Sequence, residues 1–374
     1  MKTYFKGLNG LRFIGAFSVI IGHIELIKSF YGLPNLMDHP FYRFTNGHLG
    51  VLLFFVLSGF LITYFLIVEL QENNHIDFKI FYIKRILRIW PIYYIMILFS
   101  IFILPKLLTF IGVLSPSYSF ETIKYYLLFL PNFAKSFHYS IPGAVHLWSV
   151  GVEEQFYLIW PILIILFKNR LLILFTTIFL IFSLVPMVVD FLYIRSDLLQ
   201  QFKEEKLFIS SFLSSFKINS MALGGCFAYI YIKHKKLLNF LNYRIVELSL
   251  IIFTSSLWIM GFHFKIFSDE IYSLLFALII FSVVTNNNPI IKFENRLFNF
   301  LGKISYGLYV YHWVILILII QLIKLLGVNF YESHILVNSL IYFLGITLTV
   351  FISYISYKYI EEPIVNLKNK FQKN

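Results

Sequence analysis

The chain has 374 residues, 59% of them hydrophobic and 13% charged, with 44 Phe and 25 Tyr, and its mean hydropathy is +0.78. A soluble domain carries about 25% charged residues, so composition excludes a water-soluble enzyme and predicts an all-α polytopic membrane bundle, one domain over residues 1–374. The net charge of +12 is explained by basic cytoplasmic loops and does not call for nucleic-acid binding.

A spanning helix needs about 20 largely apolar residues. In chain order the candidates are 11–31, 49–69, 86–105, 147–167, 171–192, 208–232, 245–262, 270–285, 304–326 and 335–360, about ten in all. The stretch 125–133 is too short to cross and contains Pro131, so it reads as re-entrant or interfacial. With ten crossings and both termini in the cytoplasm, most Lys and Arg fall on the inner side, including Lys79, Lys84, Lys168, Arg170 and the run Lys233, Lys235, Lys236. That bias follows the positive-inside rule. The first span is interrupted by His23 and Glu25 and is followed by no small-residue cleavage site, so it is expected to stay in the protein. The segment after the last span is too short for an extracytoplasmic catalytic domain. The lone Cys226 excludes an intramolecular disulfide and reads as a small buried residue.

Ionisable side chains inside spans are costly and mark function. On the first span Arg12 and His23 are 11 residues apart, which returns them to nearly one helix face with a rise of ~16 Å. Arg12 alone could be a snorkelling boundary residue; His23, beyond the midplane, has no such escape. Glu25 points to a different face. Arg85 and Arg88, at i and i+3 on the third span, share a face and suit a phosphate held from the cytoplasmic side, although positive-inside bias alone would also place them there. Glu153 and Glu154 open the fourth span about 100° apart, so that one can face a cavity while the other pairs elsewhere. His146 before them reads as interfacial. Ser305, Tyr309 and His312 form a polar stripe on the ninth span and are expected to line the same cavity. Gly50, Ser58 and Gly59 read as close helix packing. The remaining histidines, His39 and His48 among them, fall in loops or at boundaries without metal-ligand spacing, and no metal is expected.

Five stretches, GLNGLRFIGAFSVIIGH, GVLLFFVLSGFLIT, RILRIWP, LWSVGVEEQFYLIWP and ISYGLYVYHW, occur in this order along the chain. Together they resemble the integral membrane acyltransferase-3 family. The resemblance implies a bacterial inner-membrane enzyme that moves an acyl group, commonly acetyl, from cytoplasmic acyl-CoA to a hydroxyl of a cell-surface or lipid-linked glycan. By the family's motifs Arg12 and His23 match the essential Arg/His pair, Arg85 and Arg88 the pair linked to CoA, and Glu153 and Glu154 the Glu-Glu-Gln-Phe-Tyr element. Asn9 stands where many members have Asp, and Leu52 where many have a polar residue. The expected chemistry has His23 as general base, oriented by Glu153 or Glu154, with Arg12 either stabilising the oxyanion or positioning the donor arm. The rival reading is a proton-coupled transporter or flippase, which also places His, Glu and Arg inside the membrane.

Overall fold

The computed structural model describes residues 4–37, 47–113, 117–195, 203–327 and 334–371. They form a helical bundle: α1 (Leu8–Phe30), α2 (Gly47–Asn73), α3 (Phe78–Leu98), α4 (Leu104–Phe110), α5 (Phe120–Leu127), α6 (Pro131–Ser136), α7 (Trp148–Leu166), α8 (Leu171–Arg195), α9 (Lys203–Ser215), α10 (Ile218–Lys233), α11 (Arg244–Ile259), α12 (Ser268–Thr285), α13 (Arg296–Lys303), α14 (Ser305–Leu325) and α15 (His334–Ser356). Pro91, Pro161 and Pro186 lie inside α3, α7 and α8, a position that membrane-spanning helices tolerate better than soluble ones. The protein is a multi-pass membrane protein.

Eight of the described helical segments are long and apolar enough to cross a membrane, or nine if Lys235–Asn242 and α11, bent 81° apart, form one span. The sequence reading expects about ten. The differences lie at 245–262, counted as a span only when α11 is joined to Lys235–Asn242, and at 208–232, a largely apolar run that the fold divides between α9 and α10. The chain turns at Lys217, whose ammonium pairs with Asp269 at 2.8 Å. The 16 residues of α10 rise ~24 Å, short of the roughly 30 Å of hydrocarbon. The stretch 125–133 is not one continuous helix; it holds the end of α5 and the start of α6, joined through Phe129 in a left-handed conformation (φ 57°).

The core is organised around α1, α2, α10 and α14. Small residues allow the closest approaches: a side chain at Gly59 would run into the Met221 carbonyl, and one at Gly224 into the Val56 carbonyl. Gly15 and Gly50 bring α1 and α2 together in the same way. Such contacts replace the hydrophobic drive that a lipid solvent does not supply between helices.

At one end of α1 a buried clasp fixes the helix. Glu25 accepts from Lys28 Nζ and from the Tyr342 hydroxyl, each at 2.8 Å, and from the Leu36 backbone N–H at 2.6 Å. Both charged side chains of this pair are essentially inaccessible, at 0% and 1% exposure. The clasp joins α1, the turn after it and α15, and so explains the carboxylate two residues beyond His23.

Candidate active site

Two polar regions lie along the α1–α14 seam. The first is a cavity with about 820 Å³ of empty space. Arg12 from α1, Arg85 and Arg88 from α3, Ser58 from α2, Glu153 and Tyr157 from α7, and Ser305, Tyr306 and Tyr309 from α14 are among its lining residues. Tyr306 closes the seam between α14 and α3 by donating to the Ile89 carbonyl at 2.9 Å. Among the described residues none of the three arginines has a carboxylate oxygen within 4 Å. Their positive charges bear on one another and on the Glu153 carboxylate beside them, and Arg85 Nε is buried without a hydrogen-bond partner. Arg12 donates to the Asn9 side-chain oxygen at 3.2 Å. That neutral amide fixes the guanidinium without cancelling its charge, which an aspartate here would do.

The two glutamates turn to different sides. Glu153 lines the cavity, accepting from Ser58 at 3.2 Å and Tyr157 at 2.9 Å. Glu154 turns to α3 and accepts from the Trp90 indole at 2.9 Å. Neither carboxylate reaches His23, in contrast to the expected orientation by Glu153 or Glu154. Ser58, expected as a packing residue, is a cavity hydroxyl bonded to Glu153.

The second region is a histidine cluster. His23 Nδ1 lies 2.7 Å from His312 Nε2, with the rings stacked at 10°. His312 Nδ1 is 3.2 Å from the Leu308 carbonyl. A carbonyl only accepts, so His312 carries its proton on Nδ1 and its Nε2 is the acceptor. His23 must then donate from Nδ1, which leaves its Nε2 unprotonated and free to take a proton. This tautomer chain places an imidazole where a carboxylate orienter was expected. The edge of His23 packs on the Trp313 ring, 4.7 Å between centroids.

His146 completes the cluster and was not foreseen. It is buried, 1% exposed, not interfacial, with its ring 4.9 Å from His312 and 6.5 Å from His23. Its Nε2 is 3.0 Å from the Val310 carbonyl. The residue sits in a short helical turn before α7, and no periodicity in the sequence marks it.

Tyr309 and Ser149 stand between the regions. Tyr309 donates to the His146 carbonyl at 2.7 Å, and its hydroxyl lies 2.5 Å from Ser149 Oγ. Both side chains line the cavity; the three histidines do not. Of the polar stripe on α14, Ser305 and Tyr309 therefore face the cavity, whereas His312, expected there too, is fully buried behind them. His39 lies outside the described residues. Among the described residues no group of three His, Cys, Asp or Glu side chains is placed to hold a metal ion.

The family described as "Acyltransferase domain" matches residues 5–358. The chain belongs to this family. A Staphylococcus aureus (strain COL) relative carrying an O-acetyltransferase name is 28% identical over 96% of this chain and 57% of its own length. The peptidoglycan O-acetyltransferase OatA of Listeria monocytogenes serovar 1/2a is 26% identical over 97% of this chain and 56% of its own. The O-acetyltransferase OatA of Staphylococcus aureus (strain NCTC 8325) is 26% identical, over 96% and 57%. The chain thus spans a little over half the length of these curated relatives. No solved structure matches it.

Proposed function

We propose that the protein is a bacterial inner-membrane O-acetyltransferase that takes acetyl from cytoplasmic acetyl-CoA and delivers it to a glycan hydroxyl on the far side of the bilayer. The observation that carries this reading is the cavity where three arginines outnumber its one lining carboxylate, Glu153, with no ion pair within 4 Å among the described residues, and where Arg12 lies ~16 Å along α1 from His23. An excess of guanidinium charge inside a membrane bundle is stabilised by an anion, and the fork geometry of these groups suits phosphate oxygens. Arg85 and Arg88 hold the nucleotide phosphates at the cytoplasmic end, Arg88 being the more exposed. The pantetheine arm extends from them along the cavity past Arg12.

At the far end the acceptor O–H gives its proton to His23 Nε2 while its oxygen attacks the thioester carbonyl. The C–S bond then breaks, and the CoA thiolate leaves with the proton that His23 returns. The imidazolium formed in between donates from both nitrogens, and its Nδ1–H stays bonded to His312 Nε2. His312 thus holds one tautomer and one ring orientation throughout, the role a carboxylate plays in hydrolytic triads.

The test uses the chain purified into nanodiscs with radiolabelled acetyl-CoA and an extract of cell-surface glycans. CoA release coupled to label transfer is the expected result, and it disappears in His23→Ala. A wild-type protein that leaves the thioester intact with every glycan fraction refutes the reading and favours a carrier.

A further inference from the structure

The far end of the bundle carries a second unsatisfied cation. Lys135, in the last turn of α6, places its ammonium 4.0 Å from the centroid of the Trp148 ring. Among the described residues it has no carboxylate within 4 Å and no hydrogen-bond acceptor. Lys217, whose charge bears on Lys135, is itself paired with Asp269 at 2.8 Å.

The position is fixed. Asn132 and Gln155 exchange side-chain hydrogen bonds at 2.8 and 3.2 Å, Gln155 also donates to the Phe129 carbonyl at 3.0 Å, and Pro131 packs against Gly151. The Gln155 of the Glu-Glu-Gln element therefore sets the place of Lys135. Burial, with Lys217 nearby, pushes the ammonium down to about 8, so it is still predominantly charged at neutral pH. Its charge is felt at His23. A purely structural lysine gains a cation–π contact and the helix C-terminal dipole here. Those do not offset a desolvated cation placed beside a second lysine and a reacting imidazole.

We propose that Lys135, poised over Trp148, docks an anionic group of the acceptor, so that the substrate is a glycan bearing an oxyanion. This rests on the acyltransferase reading above and narrows its acceptor class. An anion on Lys135 also relieves the repulsion between the ammonium and the imidazolium that forms on His23 during transfer. The oxyanion comes either from a sugar carboxylate or from the phosphate of a lipid carrier.

The experiment measures binding to the full chain in nanodiscs and, separately, acetyl transfer from acetyl-CoA. The probes are a glucuronate-containing hyaluronan tetrasaccharide, neutral chitotetraose, and polyprenyl-diphosphate-linked N-acetylglucosamine. At least one anionic probe binds about tenfold tighter than chitotetraose. Lys135→Gln removes that preference and Lys135→Arg keeps it. Preference for the tetrasaccharide assigns a sugar acid; preference for the diphosphate assigns the lipid carrier. Equal binding of all three probes overturns the proposal, as does a preference that survives Lys135→Gln. Lys135-dependent binding without any acetyl transfer leaves the anion site standing and refutes the acyltransferase reading instead.

Discussion

The arginine cavity and the histidine cluster are built on the same helices and satisfied in opposite ways. In the cavity the positive groups outnumber their partners: among the described residues three guanidinium groups line it without a carboxylate at ion-pair distance, and Arg85 Nε has no hydrogen-bond partner. In the cluster the imidazoles are packed ring on ring and joined in one chain of hydrogen bonds from Leu308 through His312 to His23. Unsatisfied charge with open space around it is suited to receive a ligand. A closed chain of fixed tautomers is suited to hold one geometry while a proton moves.

This contrast breaks first at His23. In His23→Ala the base disappears while the cavity stays, so acetyl transfer falls by about 10²–10⁴-fold and acetyl-CoA affinity, read by calorimetry, does not fall in parallel. A variant that transfers at the wild-type rate removes His23 from the chemistry. The clasp beside it is sharpened by Glu25→Gln, which leaves the Lys28 ammonium buried without its carboxylate. Removing one member of a buried pair costs about 3–5 kcal/mol, seen as a lower Tm in detergent; an unchanged Tm means the pair is not buried in the membrane-embedded protein.

The cavity end responds in KM. Arg85→Ala combined with Arg88→Ala removes charge-assisted contacts of about 1.5–3 kcal/mol each, so the KM for acetyl-CoA rises by about 10²–10⁴-fold with kcat much less affected. An unchanged KM makes the two arginines determinants of topology only. The cluster end responds in kcat: His312→Ala loses the acceptor that fixes the His23 tautomer, whereas His312→Gln retains a side-chain oxygen that accepts from His23 Nδ1. A kcat about tenfold lower in the alanine variant, partly restored in the glutamine variant, separates orientation from simple packing, which would treat both substitutions alike.

Much of this was legible in the chain because the membrane enforces simple rules. Apolar length gave most of the spans, and the separation of Arg12 from His23 gave one helix face. The division of Glu153 from Glu154 followed from 100° per residue. What was hidden depended on distance in sequence. His23 and His312 are 289 positions apart, and only packing of α1 against α14 makes one the orienter of the other. His146 lies in a turn outside any periodic pattern. The break at Lys217 sits within a largely apolar run, and the carboxylate that pairs with Lys217, Asp269, belongs to another helix. Glu25 had its partner Lys28 in view at i+3, but the seat for the pair is supplied by Tyr342 and the Leu36 N–H.

The smallest effect is expected at the wall between the two regions. Tyr309 is tied on both sides, to the His146 carbonyl and to Ser149 Oγ, and in the proposed function the donor arm passes this point to bring its thioester to His23. Tyr309→Phe keeps the ring, which packs edge-on against Phe54 with centroids 6.1 Å apart, and removes both hydrogen bonds. The folded state loses about 1 kcal/mol, and the same interaction no longer opposes opening of the wall. Because 1 kcal/mol corresponds to about a fivefold change in an equilibrium, acetyl-CoA hydrolysis in the absence of acceptor rises by about that factor while Tm falls slightly. A hydrolysis rate that falls together with Tm shows instead that the hydroxyl serves to place His146, and that the passage from cavity to cluster lies elsewhere.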